Sequence, residues 1–249
     1  MKETALNIHS LDKEFPKFEN SSIDSSVNNN PNSYLTIELK KEFGILQFVA
    51  IPLVSACTMM VGVYMNAQLA YMLEDPLMFQ IGADEIGTVT SDLTIYSIPF
   101  QMVTTFFVSY LFELWGRKKT LFFSYFLTAL VYFLIPYSAP HFYMLVILRC
   151  LIGVTMSAPI AHPLIADYVK RRSRGKAIAL AGVGIVTGEV FSMGVLFNLT
   201  KSMDYFQAFS IASSLIFAFA FFFLFAIKDP NLDQLREKVR KSPMISPWR

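Results

Sequence analysis

The chain is poor in charge. Of its 249 residues, only 16% are Asp, Glu, Lys or Arg, against about 25% for a soluble domain. A deficit of that size excludes an ordinary water-soluble globule and makes lipid the solvent for much of the surface. Cysteine is scarce as well. Cys57 and Cys150 both stand in apolar runs, which excludes a disulfide framework and leaves them as packing residues. The cysteines and the three histidines show no metal-ligand spacing, so neither a metal nor another cofactor is expected. No apolar core follows a basic start near Met1, so the amino terminus is not a signal peptide. The strand alternation of an outer-membrane barrel is missing too. The net charge of +2 is small and points to no nucleic-acid partner.

What the chain does have is apolar length. Hydrophobic residues make up 54% of it, with a mean hydropathy of +0.45. About 20 apolar residues cross a bilayer, and six runs qualify, over residues 43–73, 87–112, 120–135, 142–164, 177–199 and 205–227. The third is short for a span. Backbone in lipid must satisfy its own hydrogen bonds, so the six are read as helices. Pro52, Pro99, Pro136, Pro159 and Pro163 lie in or near them; bundled membrane helices accommodate such prolines as kinks. The fold class expected is therefore all-α, an integral multi-pass bundle whose first partner is the bilayer.

Four regions follow. Residues 1–33 are expected to be a disordered tail, since ten of the fourteen residues from Asn20 to Ser33 are Ser or Asn and offer almost nothing to bury. Residues 34–42 alternate Leu35, Ile37 and Leu39 with Glu38, Lys40 and Glu42 and read as an amphipathic segment at the membrane surface. Residues 43–227 hold the six spans. Residues 228–249 form a basic tail in which Leu232, Leu235 and Val239 space as one face of a short surface helix.

Orientation comes from the connectors. The second carries Arg117, Lys118 and Lys119, and the fourth Lys170, Arg171, Arg172, Arg174 and Lys176; the first, third and fifth together carry only Lys201. Eight cations against one put the even connectors, and with them both termini, in the cytoplasm.

The connector between the second and third spans reads Ser-Tyr-Leu-Phe-Glu-Leu-Trp-Gly-Arg-Lys-Lys over residues 109–119. It is tight and basic, and it forces its two neighbours to lie side by side and antiparallel. Glu113, Gly116, Arg117, Lys118 and Lys119 match the conserved loop between the second and third helices of major facilitator superfamily transporters, with Ser109 and Leu114 departing from that pattern. Further along, Arg149, Gly153, Asp167, Arg174 and Gly175 resemble the same family's fourth helix and the basic loop after it. The chain thus resembles the amino-terminal six-helix half of a major facilitator transporter.

That resemblance implies a secondary carrier of a small molecule or ion, working by alternating access. It implies a second bundle, supplied by a homodimer or by another half, because complete carriers of the family rock two bundles about a site at the midplane. It also implies a conformational latch at the cytoplasmic face formed by Glu113, Gly116, Arg117, Lys118, Asp167 and Arg174. The alternative reading is a non-transporting six-span protein, truncated or regulatory.

Three residues are candidates for substrate or ion coupling. Arg149 lies about 10 Å inside its span and Glu189 about 15 Å inside its own, at helical rise. A charge so deep costs at least about 2.5–3.5 kcal/mol and should meet a cavity or a partner, so the two are expected to pair. Asp92, near the start of the second span, is the third candidate. Gly184 and Gly188, with Gly182 and Gly194, mark a small-residue face in the fifth span for close helix contact, and Gly153 does so in the fourth. His162 and Asp167 share the spacing of glycerolipid acyltransferases, but Pro163 follows the histidine and no second block of that enzyme family is visible. No enzyme activity is expected.

Overall fold

A computed structural model describes residues 33–34, 37–40, 43–161 and 163–229. Six helical stretches among them are long and apolar enough to cross a membrane: Ile45–Glu74, Ile86–Leu114, Arg117–Ser138, Phe142–Tyr168, Arg171–Thr200 and Tyr205–Ala226. Residues 1–32 of the tail expected over 1–33, the surface helix expected after residue 229, and His162 lie outside the described residues.

Three of the helices are continuous: α1 (Ile45–Glu74), α2 (Ile86–Leu114) and α8 (Tyr205–Ala226). The other three spans are composite. Helix α3 (Arg117–Leu134) runs on through a 3-10 turn at Ile135–Ser138, where Pro136 sits. The third span is thereby 22 residues long rather than short, because Arg117, Lys118 and Lys119 are its first turn and not a loop. Helix α4 (Phe142–Ile160) stops one residue after Pro159, and the chain resumes as the short α5 (Pro163–Tyr168). Helix α6 (Arg174–Phe191) loosens into a π turn at Ser192–Phe197 and ends in α7 (Asn198–Thr200).

Helix α1 packs chiefly on α6, α3 on α8, and α2 on α4, with α3 and α4 closing the group. Packing between apolar helices in lipid gains little from hydrophobicity, so small residues and polar contacts must supply it. Both are present. A Cβ on Gly184 would overlap the Pro52 carbonyl of α1, and one on Gly188 the Ala56 carbonyl. Buried hydroxyls also donate to carbonyls of neighbouring helices: Tyr125 to Val54 at 3.0 Å, Tyr132 to Val61, and Ser213 to Ala129 at 2.7 Å.

Burial is uneven. Fourteen residues of α1 are buried, but only Leu93, Ser97, Val108 and Phe112 of α2 are. The remainder of α2 presents side chains such as Phe106, 81% exposed, to the surroundings.

Ahead of α1, a two-residue antiparallel hairpin pairs β1 (Ser33–Tyr34) with β2 (Ile37–Glu38). Ile37, Leu39 and Phe43 are buried against the bundle, so the apolar side of this segment packs on protein.

Candidate functional site

Two places concentrate polar chemistry predicted from the sequence: the basic face of the bundle, and the interior around Arg149.

At the basic face the α2–α3 turn is made by Gly116. Its φ of +88° suits only glycine, and any Cβ there would meet the Asp229 carboxylate at 2.6–2.9 Å. Asp229 sits against the start of α3 and accepts the Lys118 backbone N–H at 2.9 Å. Helix α3 has no acidic residue in its first turn, so a carboxylate from the far end of the chain takes the place of a local cap. Arg117 then turns sideways. Its Nε donates to Asp167 Oδ2 at 2.8 Å, and its guanidinium stacks 4.6 Å from the centre of the Phe112 ring. Arg174 donates from Nη2 to the Ala166 carbonyl at 3.1 Å, holding the α5 segment that carries Asp167.

The same segment is held from two other sides. Leu39 and Val169 form an antiparallel bridge, with Lys40 N donating to the Tyr168 carbonyl at 2.9 Å and Lys170 N to the Glu38 carbonyl at 3.0 Å. Lys170 Nζ also meets Glu38 Oε2 at 2.9 Å. That hydrogen bond, then the charge of Lys170, holds the Glu38 carboxyl below the usual carboxylate range. The Tyr168 hydroxyl donates to the Lys228 carbonyl at 2.9 Å and accepts its N–H at 3.1 Å. Four chain segments therefore meet on α5: the hairpin before α1, the α2–α3 turn, the start of α6 and the end of α8.

Of the expected latch residues, the structure brings Gly116, Arg117, Lys118, Asp167 and Arg174 together. It leaves Glu113 out. Glu113 is exposed and makes no ion pair among the described residues. It occupies the last turn of α2. Asp229 stands where a second carboxylate was sought. Its signal was present in the Lys-Asp-Pro that follows the sixth span, on the same membrane face.

In the interior, Arg149 is 8% exposed. Its Nη2 donates to Asn66 Oδ1 of α1 at 2.8 Å and reaches Thr94 Oγ1 of α2 at 3.4 Å. Its Nε is buried with no acceptor. The expected pair with Glu189 is not formed. Glu189 follows Gly188, which faces α1; one residue on, a helical side chain turns by about a quarter of the circumference, and Glu189 is exposed. Asp92 is half-buried on α2 and makes no hydrogen bond or ion pair among the described residues. A groove of about 740 Å³ between α2 and α4 is walled by Tyr96, Pro99, Phe100, Ile147, Cys150 and Leu151, and Arg149 is not part of its lining. Gly153 lets α4 approach α2 there, 3.1 Å from the Ser97 carbonyl as measured from an added Cβ.

The sequence profile of the Major Facilitator Superfamily matches residues 43–249. The chain belongs to the major facilitator superfamily. It is a multi-pass membrane protein of a transporter family, and its described bundle is the six-helix unit of that family. Among curated proteins, none matches the chain. Membership gives the basic-face cluster and the interior arginine a common setting.

Proposed function

We propose that this protein is a secondary carrier of a small solute bearing an anionic group, with Arg149 as the residue that meets it. The observation that carries the reading is the buried guanidinium. It has only neutral partners in Asn66 and Thr94, and one donor is unused. A cation held in low dielectric without a counter-charge is costly, and an anionic solute relieves that cost at the moment of binding.

Arginine supports this role better than lysine would, because its planar fork binds a carboxylate with two parallel hydrogen bonds. The basic-face cluster is read as the latch of alternating access. It closes when Arg117 holds Asp167 and opens when α5 moves. The eight-to-one distribution of connector cations places this face and both termini in the cytoplasm. The bundle works with a second one, either a second copy or another half, since rocking needs a body to rock against. The weakly buried α2 and α6 are the faces such a body would cover.

Uptake of radiolabelled lactate, succinate and phosphate, with glucose as the neutral control, into liposomes holding the purified full chain tests the reading. Saturable uptake of one anion, reduced at least tenfold by Arg149→Ala and not restored by Arg149→Lys, is the expected result. Uptake of glucose alone, or full anion uptake by Arg149→Ala, would refute it. Single-copy liposomes that retain flux would remove the second bundle. Labelling of a cysteine at position 80 from outside, and at position 172 only after permeabilisation, checks the orientation.

A further inference from the structure

At the end of the bundle opposite the basic cluster, a cavity of about 620 Å³ lies between the end of α1, the π turn and α7, and the start of α8. That is a ligand-sized volume. Tyr71, Phe197 and Tyr205 wall it with rings, the first two 5.5 Å apart between centroids. Asp75 and Asp204 line it with carboxylates.

Gln68, only 3% exposed, also faces the cavity. Its amide is oriented by its neighbours. Thr200 gives its hydroxyl proton to the Leu196 carbonyl (2.9 Å), and Tyr64 gives its own to Ala208 (3.2 Å) or Thr200 (3.0 Å). Both oxygens can therefore only accept from Gln68, whose Nε2 donates to them at 2.9 and 3.1 Å. The Gln68 carbonyl oxygen accepts from no donor among the described residues. Asp204 precedes α8 without making a cap bond, so its carboxylate is uncommitted. The Tyr205 hydroxyl reaches the Tyr71 carbonyl at 3.2 Å and the Asp75 carboxylate.

Ring faces, the Asp204 carboxylate, an Asp75 carboxylate that also accepts the Leu77 N–H at 2.8 Å, and the Gln68 carbonyl all favour the same thing, a cation with N–H donors. We propose that this cavity binds a protonated primary or secondary amine on a small apolar body. The rings attract its charge, the carboxylates pair with it, and Gln68 takes an N–H that a quaternary ammonium lacks. Lys201 is the one cation in the lining and opposes binding from the rim. Because three spans end here, the amine reaches the cavity either free in solution or as an ethanolamine lipid headgroup. This reading is independent of what Arg149 meets, and amine binding can fail or succeed whatever the flux assays show.

Calorimetric titration of the full chain in maltoside micelles with 2-phenylethylammonium is the test. Its trimethylated analogue and 2-phenylethanol serve as comparators. Expected are binding of the primary amine, at least tenfold weaker binding of both comparators, at least tenfold loss in Asp204→Asn and severalfold gain in Lys201→Met. Melting curves identify folded variants, and Asp75→Asn, which keeps an oxygen for the Leu77 N–H but removes the charge, replaces Asp204→Asn if that variant does not fold; a severalfold loss is then expected. In nanodiscs, weaker apparent affinity in phosphatidylethanolamine than in phosphatidylcholine assigns the cavity to the headgroup, and equal affinity assigns it to a free amine. No binding at millimolar amine, equal binding of 2-phenylethanol, or an Asp204→Asn variant as tight as the parent would overturn the proposal.

Discussion

The α1–α6 seam and the basic face hold the bundle by opposite means. In the seam, Gly184 and Gly188 lie directly on the Pro52 and Ala56 carbonyls, with no side chain between the two backbones. At the basic face, α5 is held by ion pairs, backbone hydrogen bonds and a tyrosine hydroxyl from four segments. The seam is rigid because backbone cannot step aside, and a single added methyl group is felt in full. The bonds of the basic face are each weak and partly exposed, and each can open without disturbing the others. A carrier needs both kinds of joint. In the carrier reading proposed above, the seam would keep the bundle one body while the face switches.

The largest effect expected is in the seam. Gly188→Val or Gly184→Val should remove most folded protein. Overpacking costs about 1–3 kcal/mol even where side chains can yield, and here the obstacle is a carbonyl. Gly182→Ala, which meets nothing within 4 Å, should fold like the parent. Monodispersity on size exclusion reads both. If all three variants behave alike, the seam is not the rigid joint.

Arg149 sharpens the contrast from the interior. Arg149→Leu deletes a buried charge that has no counter-ion and leaves Asn66 and Thr94 near an exposed surface, so its melting temperature should equal or exceed the parent's while flux falls at least tenfold. A variant that loses stability and flux together would make Arg149 a structural residue.

The latch is weaker. The Arg117 and Asp167 side chains are 26% and 20% exposed, and a screened pair of this kind contributes about 0.2–1 kcal/mol. Arg117→Ala should shift melting by a few degrees at most, yet change the exposure of the α5 segment to labelling from the basic side. Asp229→Asn should act in the same direction, because it weakens the carboxylate at the start of α3. Unchanged labelling in both variants would leave this face as a topology signal only.

The smallest effect concerns Glu38. Its carboxyl is held below the usual range by the Lys170 hydrogen bond, so the folded form binds its proton less readily than the unfolded chain. The contribution of the pair is complete above the ordinary carboxylate pKa and is lost as pH falls through the lowered one. Protection of the Lys40 and Lys170 amides against exchange should therefore fall as pH drops below the ordinary carboxylate range. Glu38→Gln should show the lower protection already at neutral pH and lose that dependence.

Much of this was legible along the chain. The apolar runs at residues 43–73 and 205–227 marked α1 and α8 to within two residues, because the length needed to cross lipid is written directly in composition. The turn at Gly116 was legible because a glycine before three cations has little use inside a span. Helix α3 was drawn too short, since Arg117, Lys118 and Lys119 read as loop. Their positive charge in a first helical turn is offset by Asp229, more than a hundred residues away, and by Asp167.

By itself, then, the sequence determined the solvent of the protein, its number of crossings and which connectors carry charge. Each of these depends on local composition against a slab of fixed thickness. Only the tertiary structure decided who meets whom. Arg149 turned to Asn66 and Thr94 while Glu189 faced outward, since a helix turns neighbouring residues to different sides and depth alone says nothing of azimuth. Gly184 and Gly188 became the seam while Gly182 and Gly194 stayed open, because which face of α6 meets α1 depends on the packing of the whole bundle. Asp229 reached α3 for the same reason: a cap borrowed from another span exists only once the helices are side by side.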